Sequence, residues 1–349
     1  MNLLALRSHN AAAVLSLLRA APDGMTRLEL AERTGLTPQA VSKITARLRA
    51  EGLVDEAGRT ASTGGKPRTL LRLARHARYA AGAYLDRDEL TVVLADLAGG
   101  IVDIRTSPPG DTDVLEALAG AVRAVATGAV LGVGVAAPGP LGHESGVLGR
   151  VTGFPQWEGM PLRAALTAAL GLPVVLDKDT NAAALAVRGT TRDSFAYLHL
   201  GTGLGAGLVL DGALHRGRRT GAGEFGHQAV RLDGPLCVCG NHGCLEALCL
   251  EAVRAGDPAG AARLLGVGAA NLVALLDIDR VVLGGRTVLA DPALFVHEVA
   301  AVVRQRTGRP LPVSAAPGGS RTVAEGAAAL VLGRFFGGGK DGGEGSALR

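Results

Sequence analysis

The sequence predicts a mixed α/β chain in which a small helical head with a β-hairpin precedes a larger α/β body. Three observations carry this. Helical periodicity dominates residues 11–52, short β-rich runs take over at Tyr79, and further along such runs alternate with helices. With 349 residues, 48% of them hydrophobic and 19% charged, a sizeable core and two or three domains are expected, and disorder is excluded for most of the chain. Uncharged apolar stretches fall short of the ~18 residues that span a bilayer. Arg7 also interrupts the apolar start before a signal-peptide core can form, so a cytoplasmic protein with no membrane partner is expected.

In the head, Ala11, Val14, Leu15 and Leu18 give one apolar helical face. Thr26-Arg-Leu-Glu29 has the capping-box pattern and starts a second helix, which Gly35 ends. Thr37-Pro38 starts a third, with Thr37 as N-cap, and Gly52 stops it. Val41, Ile44 and Leu48 form its inner face. Gln39, Ser42, Lys43 and Ala46 lie opposite, with Arg47 and Arg49 on the flanks. This is the spacing of a helix-turn-helix unit whose third helix enters the major groove of double-stranded DNA. Gln39 and Lys43 can reach base edges, and Arg47 and Arg49 suit phosphate. Leu53-Val54 and Thr69–Leu73 read as strands around a basic, glycine-rich wing tip containing Lys66 and Arg68. The charge balance agrees. Residues 1–80 hold 13 Lys and Arg against 6 Asp and Glu, while the remainder holds 23 against 26. Only four of the 36 basic residues are Lys, so part of the Arg excess reflects composition.

In the body, Tyr79–Leu85, Leu90–Leu97 and Ile101–Arg105 read as a three-stranded meander, followed by a helix over Asp113–Ala126 and a strand over Val130–Ala136. Later strands are Val174–Leu176, Ala196–Leu200, Gly207–Leu210 and Val281–Leu283. The loop Gly201–Gly207 follows an apolar strand, and its Gly201, Thr202, Gly203 and Gly205 can bring backbone N–H groups to phosphate or simply serve a tight hairpin. Asp177-Lys178-Asp179-Thr180-Asn181 precedes an Ala-rich helix over Ala182–Val187. A carboxylate there can act as a general base or as a helix cap. Cys237, Cys239, Cys244 and Cys249 lie within thirteen residues, which in a long cytosolic chain argues for metal rather than disulfides. Gly240 and Gly243 permit the tight turns that three converging thiolates need. The fourth ligand of a structural zinc site is His227, His242 or Cys249.

Taken together these residues resemble the ROK family (repressor, open reading frame, kinase). The most specific stretch is Gly223-Glu224-Phe225-Gly226-His227 followed by Cys237-x-Cys239-Gly240-x-x-Gly243-Cys244-Leu245-Glu246. Pro138-Gly139-Pro140, Trp157, Leu283-Gly284-Gly285, Gly326-Ala327-Ala328 and the winged head also match. The resemblance implies a winged helix-turn-helix domain over 1–78. It implies a two-lobed sugar kinase/actin-like (ribonuclease H-like) domain over 79–336, with a zinc loop at 227–246. A Gly-rich tail over 337–349 is expected to be disordered. It further implies that His227, Cys237, Cys239 and Cys244 bind one structural zinc. Asp179, Glu224, His227 and Glu246 would contact a sugar, with Asp179 matching the kinases' catalytic Asp. Kinases of the family carry Asp-x-Gly-Gly-Thr-Lys in the first hairpin. Here the stretch is Leu85-Asp86-Arg87-Asp88-Glu89-Leu90, without glycines and with added negative charge where phosphates sit. Lys178 replaces a sugar-contacting Asn, and Gly153 aligns with another Asn.

These departures order three functions. The first is a repressor of carbohydrate genes, answering to a sugar or sugar phosphate and binding an operator as a homodimer or dimer of dimers. The second is a regulator that has lost its sugar and answers to a protein partner. The third is an ATP-dependent, glucokinase-like sugar kinase in which Asp179 is the base.

Overall fold

The computed structural model describes residues 9–59, 68–108, 113–151, 155–189 and 192–337. Lys66 with the wing tip, Gly153, Arg7 and the tail beyond Gly337 lie outside the described residues.

The head comprises α1 (His9–Arg19), β1 (Met25–Thr26), α2 (Arg27–Thr34), α3 (Pro38–Ala50), β2 (Val54–Arg59) and β3 (Thr69–Leu73), with the strands ordered β1-β3-β2. The expected caps form. Glu29 Oε2 accepts from Thr26 N at 2.7 Å while Thr26 Oγ1 accepts from Glu29 N, and Thr37 Oγ1 accepts from Ala40 N at 3.2 Å. Val41 and Leu48 are buried as expected, whereas Ile44 is half-buried and Thr45 fully buried. Thr45 lies four residues after Val41 on the same face. Its hydroxyl donates to Val41 O at 2.9 Å, which removes the cost of burying it.

The body continues with β4 (Tyr79–Leu85), β5 (Leu90–Asp96), β6 (Ile101–Ser107), α4 (Val114–Val125), β7 (Val130–Ala137), β8 (Leu141–Gly142), β9 (Val147–Leu148), α5 (Leu162–Leu170), β10 (Val174–Lys178) and α6 (Asp179–Ala186). The second lobe adds β11 (Phe195–Leu200), β12 (Leu204–Leu210), β13 (Ala213–His215), α7 (Leu245–Arg254), α8 (Pro258–Leu276), β14 (Arg280–Gly284), α9 (Arg286–Ala290), α10 (Pro292–Thr307), β15 (Val313–Ala315) and α11 (Thr322–Phe335). The two sheets run β10-β7-β4-β5-β6 and β13-β12-β11-β14-β15. In each, the first strand is central, an antiparallel pair lies on one side and two parallel strands on the other. The lobes thus repeat one topology, and α6 and α11 pack together between them.

Two sequence expectations change. The glycine loop at 201–207 narrows to a turn at 201–203, because Leu204–Leu210 pairs antiparallel with β11 from Leu200↔Leu204 onward. Gly205 and Gly207 are therefore strand residues. Gly207 is needed because α6 crosses the strand so closely that a Cβ there would sit 2.1 Å from Thr180 O. The helix expected from Ala182 starts instead at Asp179, directly after β10. Helix α8 is long and apolar enough to cross a membrane by composition, but it packs against α7 and α10 with Ala262, Leu265, Ala269 and Val273 buried. That is the arrangement of a core helix.

Candidate ligand cavity and metal centre

The metal candidates come together in one loop. His227 closes a short 3-10 turn after β13, and Cys237, Cys239 and Cys244 follow before α7. The four ligand atoms lie within 4.8 Å of one another. Cys237 Sγ is 3.7 Å from His227 Nδ1 and Cys239 Sγ 3.6 Å from Cys244 Sγ. A tetrahedron with bonds of ~2.3 Å has edges of about 3.8 Å, so the set fits a four-coordinate metal ion. Gly240 and Gly243 both have positive φ, as the turns require. The other two candidates drop out. His242 Nδ1 lies 3.2 Å from Gly234 O, and Cys249 faces the α7–α8 core, its Sγ 3.7 Å from Ala261 O. Burial pushes the Cys249 thiol up to about 12. Within the cluster, burial and the neighbouring thiols push Cys244 up to about 12 and raise Cys237, whereas the Asn241 N–H lowers Cys239. Three thiols this close cannot all ionise unless a cation joins them.

One cavity in the cleft is lined by Asp179, Glu224, His227 and Glu246 together, the four residues expected at a sugar. Asp179 enters at the first turn of α6. Its surroundings desolvate it and raise its pKa, against the opposing pull of His199 and Lys178. Glu246 enters at the first turn of α7, where Oε2 accepts from Leu204 N at 2.7 Å. Glu224 Oε1 accepts from Lys178 Nζ at 3.0 Å. Lys178, with its side chain 4% exposed, also donates to Ala222 O at 2.7 Å, so the replacement for the family's Asn is a fixed part of the wall. His227 belongs to both the cavity and the metal set.

Three contributors, His143, His199 and Arg216, have no local signal in the sequence. Asp177 is fully buried and gathers Arg216 (Nε 2.7 Å), Asn181 (2.8 Å) and the Lys178 N–H (2.8 Å), with His143 Nδ1 at 3.5 Å. Arg216 follows β13, so this network fastens the β10–α6 junction, and with it Lys178 and Asp179, to the second lobe. His199 lines the cavity from β11, with Nδ1 3.4 Å from Tyr197 Oη.

The acidic residues of the first hairpin have a cationic partner with no local signal in the sequence: Arg286, at the start of α9, reaches across from the second lobe. Nη2 donates to Asp86 Oδ2 at 2.6 Å and Nη1 to Asp88 Oδ2 at 2.5 Å. Gly285 makes the approach possible: at φ +91°, a Cβ would stand 2.3 Å from Leu200 O. Burial alone would raise the Asp86 pKa, but the Arg87 N–H and the Arg286 guanidinium outweigh it and the pKa falls.

On the head, Thr37, Gln39, Ser42, Lys43, Arg47 and Arg68 are all exposed. Arg49 is drawn aside to Glu56 at 2.9 Å, and Arg47 Nε lies 3.8 Å from Glu51.

Comparison with known proteins agrees with this architecture. Residues 84–255 match the ROK family, and residues 8–62 match the MarR family. A xylose repressor of Caldicellulosiruptor bescii is 30% identical over 243 residues, which cover 65% of this chain and 60% of the repressor. The chain therefore spans well under two thirds of that relative. The structure of a ROK hexokinase from Thermus thermophilus is 31% identical with TM-score 0.60, covering 72% of this chain and 96% of the hexokinase. The structure of a ROK family transcriptional regulator, a homolog of the E. coli MLC protein, aligns with TM-score 0.76 over 94% of this chain and 96% of its own. At 23% identity it shows the shared fold.

Proposed function

Because the chain belongs to the ROK family, we propose that it is a DNA-binding transcriptional regulator, a repressor of carbohydrate-use genes, whose cleft receives a sugar ligand. One observation carries this reading: α3 buries Val41, Thr45 and Leu48 and leaves Gln39, Ser42, Lys43 and Arg47 facing solvent, on a head complete enough to match the MarR family. In this reading α3 lies in the major groove of an operator. Gln39 and Lys43 meet base edges, while Thr37, Ser42, Arg47 and the wing residues Lys66 and Arg68 meet the backbone. Two heads on two half-sites call for a homodimer or a dimer of dimers. His227, Cys237, Cys239 and Cys244 hold a structural zinc, which cross-links the loop between Glu224 and Glu246. Those two carboxylates, His227 and Asp179 take the sugar hydroxyls.

The test is DNA binding by the purified chain to its own upstream region across a salt series. Steep salt dependence with sequence preference is expected, each neutralised phosphate contributing a slope of about −0.9 in log K against log salt. Undetectable or salt-insensitive binding would refute the reading. A second reading, a sugar kinase, is favoured by one feature, the placement of Asp179 at the start of α6 in the cavity, where it could take a proton from a hydroxyl. Turnover of a hexose with Mg-ATP that Asp179→Asn abolishes would establish it.

A further inference from the structure

At the hairpin end of the cavity, four donors that could hold a phosphate are already engaged. Gly201 N–H donates to Gly203 O at 2.9 Å and Leu204 N–H to Glu246 at 2.7 Å. Arg87 N–H and Thr202 Oγ1 both donate to Asp86 Oδ1, at 2.8 and 3.1 Å. What this end presents is an acceptor, the carboxylate of Asp86, 8% exposed. Arg286 has both prongs of its fork on carboxylates of the opposite lobe and does not itself line the cavity. Three segments meet at this point: the β4–β5 hairpin, the β11–β12 turn and the start of α9.

We propose that Asp86, Asp88 and Arg286 form an interlobe clasp that excludes phosphoryl groups from the cavity and ties the lobes together without a nucleotide. A phosphate dianion entering this end meets Asp86 at contact distance, and like charges that close repel strongly where water is scarce. Among the described lining residues, Arg87 at this end is solvent-exposed, so its charge is screened, and Lys178 is held by Glu224 and Ala222 O. A hydroxyl, by contrast, donates readily to Asp86 or Asp179. The same groups that reject a phosphate ester therefore accept an unesterified polyol. With Arg286 45% and Asp88 55% exposed, the outer limb of the clasp contributes little to stability, so its effect lies in where it places charge. The inference rests on the proposed function only in taking this cavity as the ligand site.

The test uses the full chain in phosphate-free buffer, with inorganic phosphate and pyrophosphate as probes, followed by thermal shift and ³¹P line broadening. The unmodified protein is expected to respond to neither. Asp86→Asn/Asp88→Asn releases Arg286 and is expected to gain binding at least about tenfold over the unmodified protein. Adding Arg286→Ala should abolish the gain. Asp88→Asn alone changes an exposed side chain, keeps the fold and should show a smaller gain in the same direction. Phosphate binding by the unmodified protein, no gain in either Asn variant, or a gain that survives Arg286→Ala would each overturn the clasp. None of these results bears on operator binding, and a failure to bind DNA would leave the phosphate result standing.

Discussion

Arg216→Ala tests most directly how the cavity wall is built. Asp177 ends β10 with its side chain 0% exposed, and Arg216 Nε and Nη2 approach its Oδ2 at 2.7 and 2.6 Å. Removing one partner of a buried ion pair costs about 3–5 kcal/mol, because the other charge is left stranded. Here Asn181 and the Lys178 N–H still donate to Oδ1 at 2.8 Å each, which places the loss at the lower end, about 3 kcal/mol. Asp177→Asn strands the guanidinium instead and should cost a similar amount. The two together strand nothing, so the double variant should lose less than the sum by about 1–3 kcal/mol. Urea denaturation of all four proteins of the cycle measures this, with far-UV circular dichroism confirming native secondary structure. Because Asp177 directly precedes Lys178 and Asp179, any thermal shift produced by a sugar should shrink in parallel. An Arg216→Ala loss below about 1 kcal/mol, or strict additivity across the cycle, would show that the pair does not hold the junction.

Further outcomes follow from the same geometry. Cys239→Ser, or stripping the metal with a chelator, should remove bound zinc by elemental analysis and weaken the thermal shift given by a sugar. Operator binding measured by anisotropy should survive, since the loop is remote in sequence from α3. Arg47→Ala should weaken binding to all DNA sequences about equally and reduce the salt slope by about 1, as the loss of one phosphate contact requires. Gln39→Ala should cost about 1–3 kcal/mol at one base position and relax specificity there. Asp179→Asn should raise stability at neutral pH while abolishing the sugar response. The Asp179 pKa is raised in the fold, so stability falls as pH rises from the ordinary carboxylate range to the folded value, and Asn removes that fall. Asp86 has the opposite sign. Its depressed pKa gives stability that is present above the ordinary carboxylate range and lost as pH drops through the folded value, so Asp86→Asn should flatten the acid limb of a denaturation profile.

What the sequence disclosed was local. Thr26 with Glu29, Thr37 with Pro38, and the spacing of Cys237, Cys239 and Cys244 each place interacting groups within eight residues, where pattern and geometry coincide. His227 could not be separated from His242 by spacing, because only the folded loop decides which imidazole turns toward the thiols. Gly205 and Gly207 resembled loop glycines because the reason for them, the passage of α6 over β12, lies elsewhere in the chain. The three-residue strands β13 and β15 are too short to show alternation. Arg216 and Arg286 were silent for a related reason. Their carboxylate partners lie 39 and 200 residues away, and nothing in the residues beside an arginine marks which distant carboxylate it will meet.

The placement of α6 bears on how a ligand and a distant head could share one equilibrium. Asp179 opens α6 in the cavity, and three residues on, α11 seats Gly326 so closely on Ala182 that a Cβ there would fall 1.7 Å from its carbonyl oxygen. Helix α11 ends at Phe335, and the guanidinium of Arg19 in α1 lies 5.0 Å above the ring of Phe336. Arg19 Nε also donates to Ala98 O at 3.3 Å, and Arg75, at the head–body junction, pairs with Asp96 at 3.0 Å. The cavity and the head are thus joined by packed backbone and a few polar contacts rather than by a loose tether. Contact alone sets no coupling energy. A hundredfold change in operator affinity requires the ligand to prefer one head arrangement by about 2.8 kcal/mol, and the preference must be reciprocal. Arg19→Ala removes the aromatic and carbonyl contacts at the last step of this route without touching α3 or the cavity. If the route carries the coupling, that variant keeps both affinities and loses their dependence on each other, which DNA titrations with and without saturating sugar would read directly.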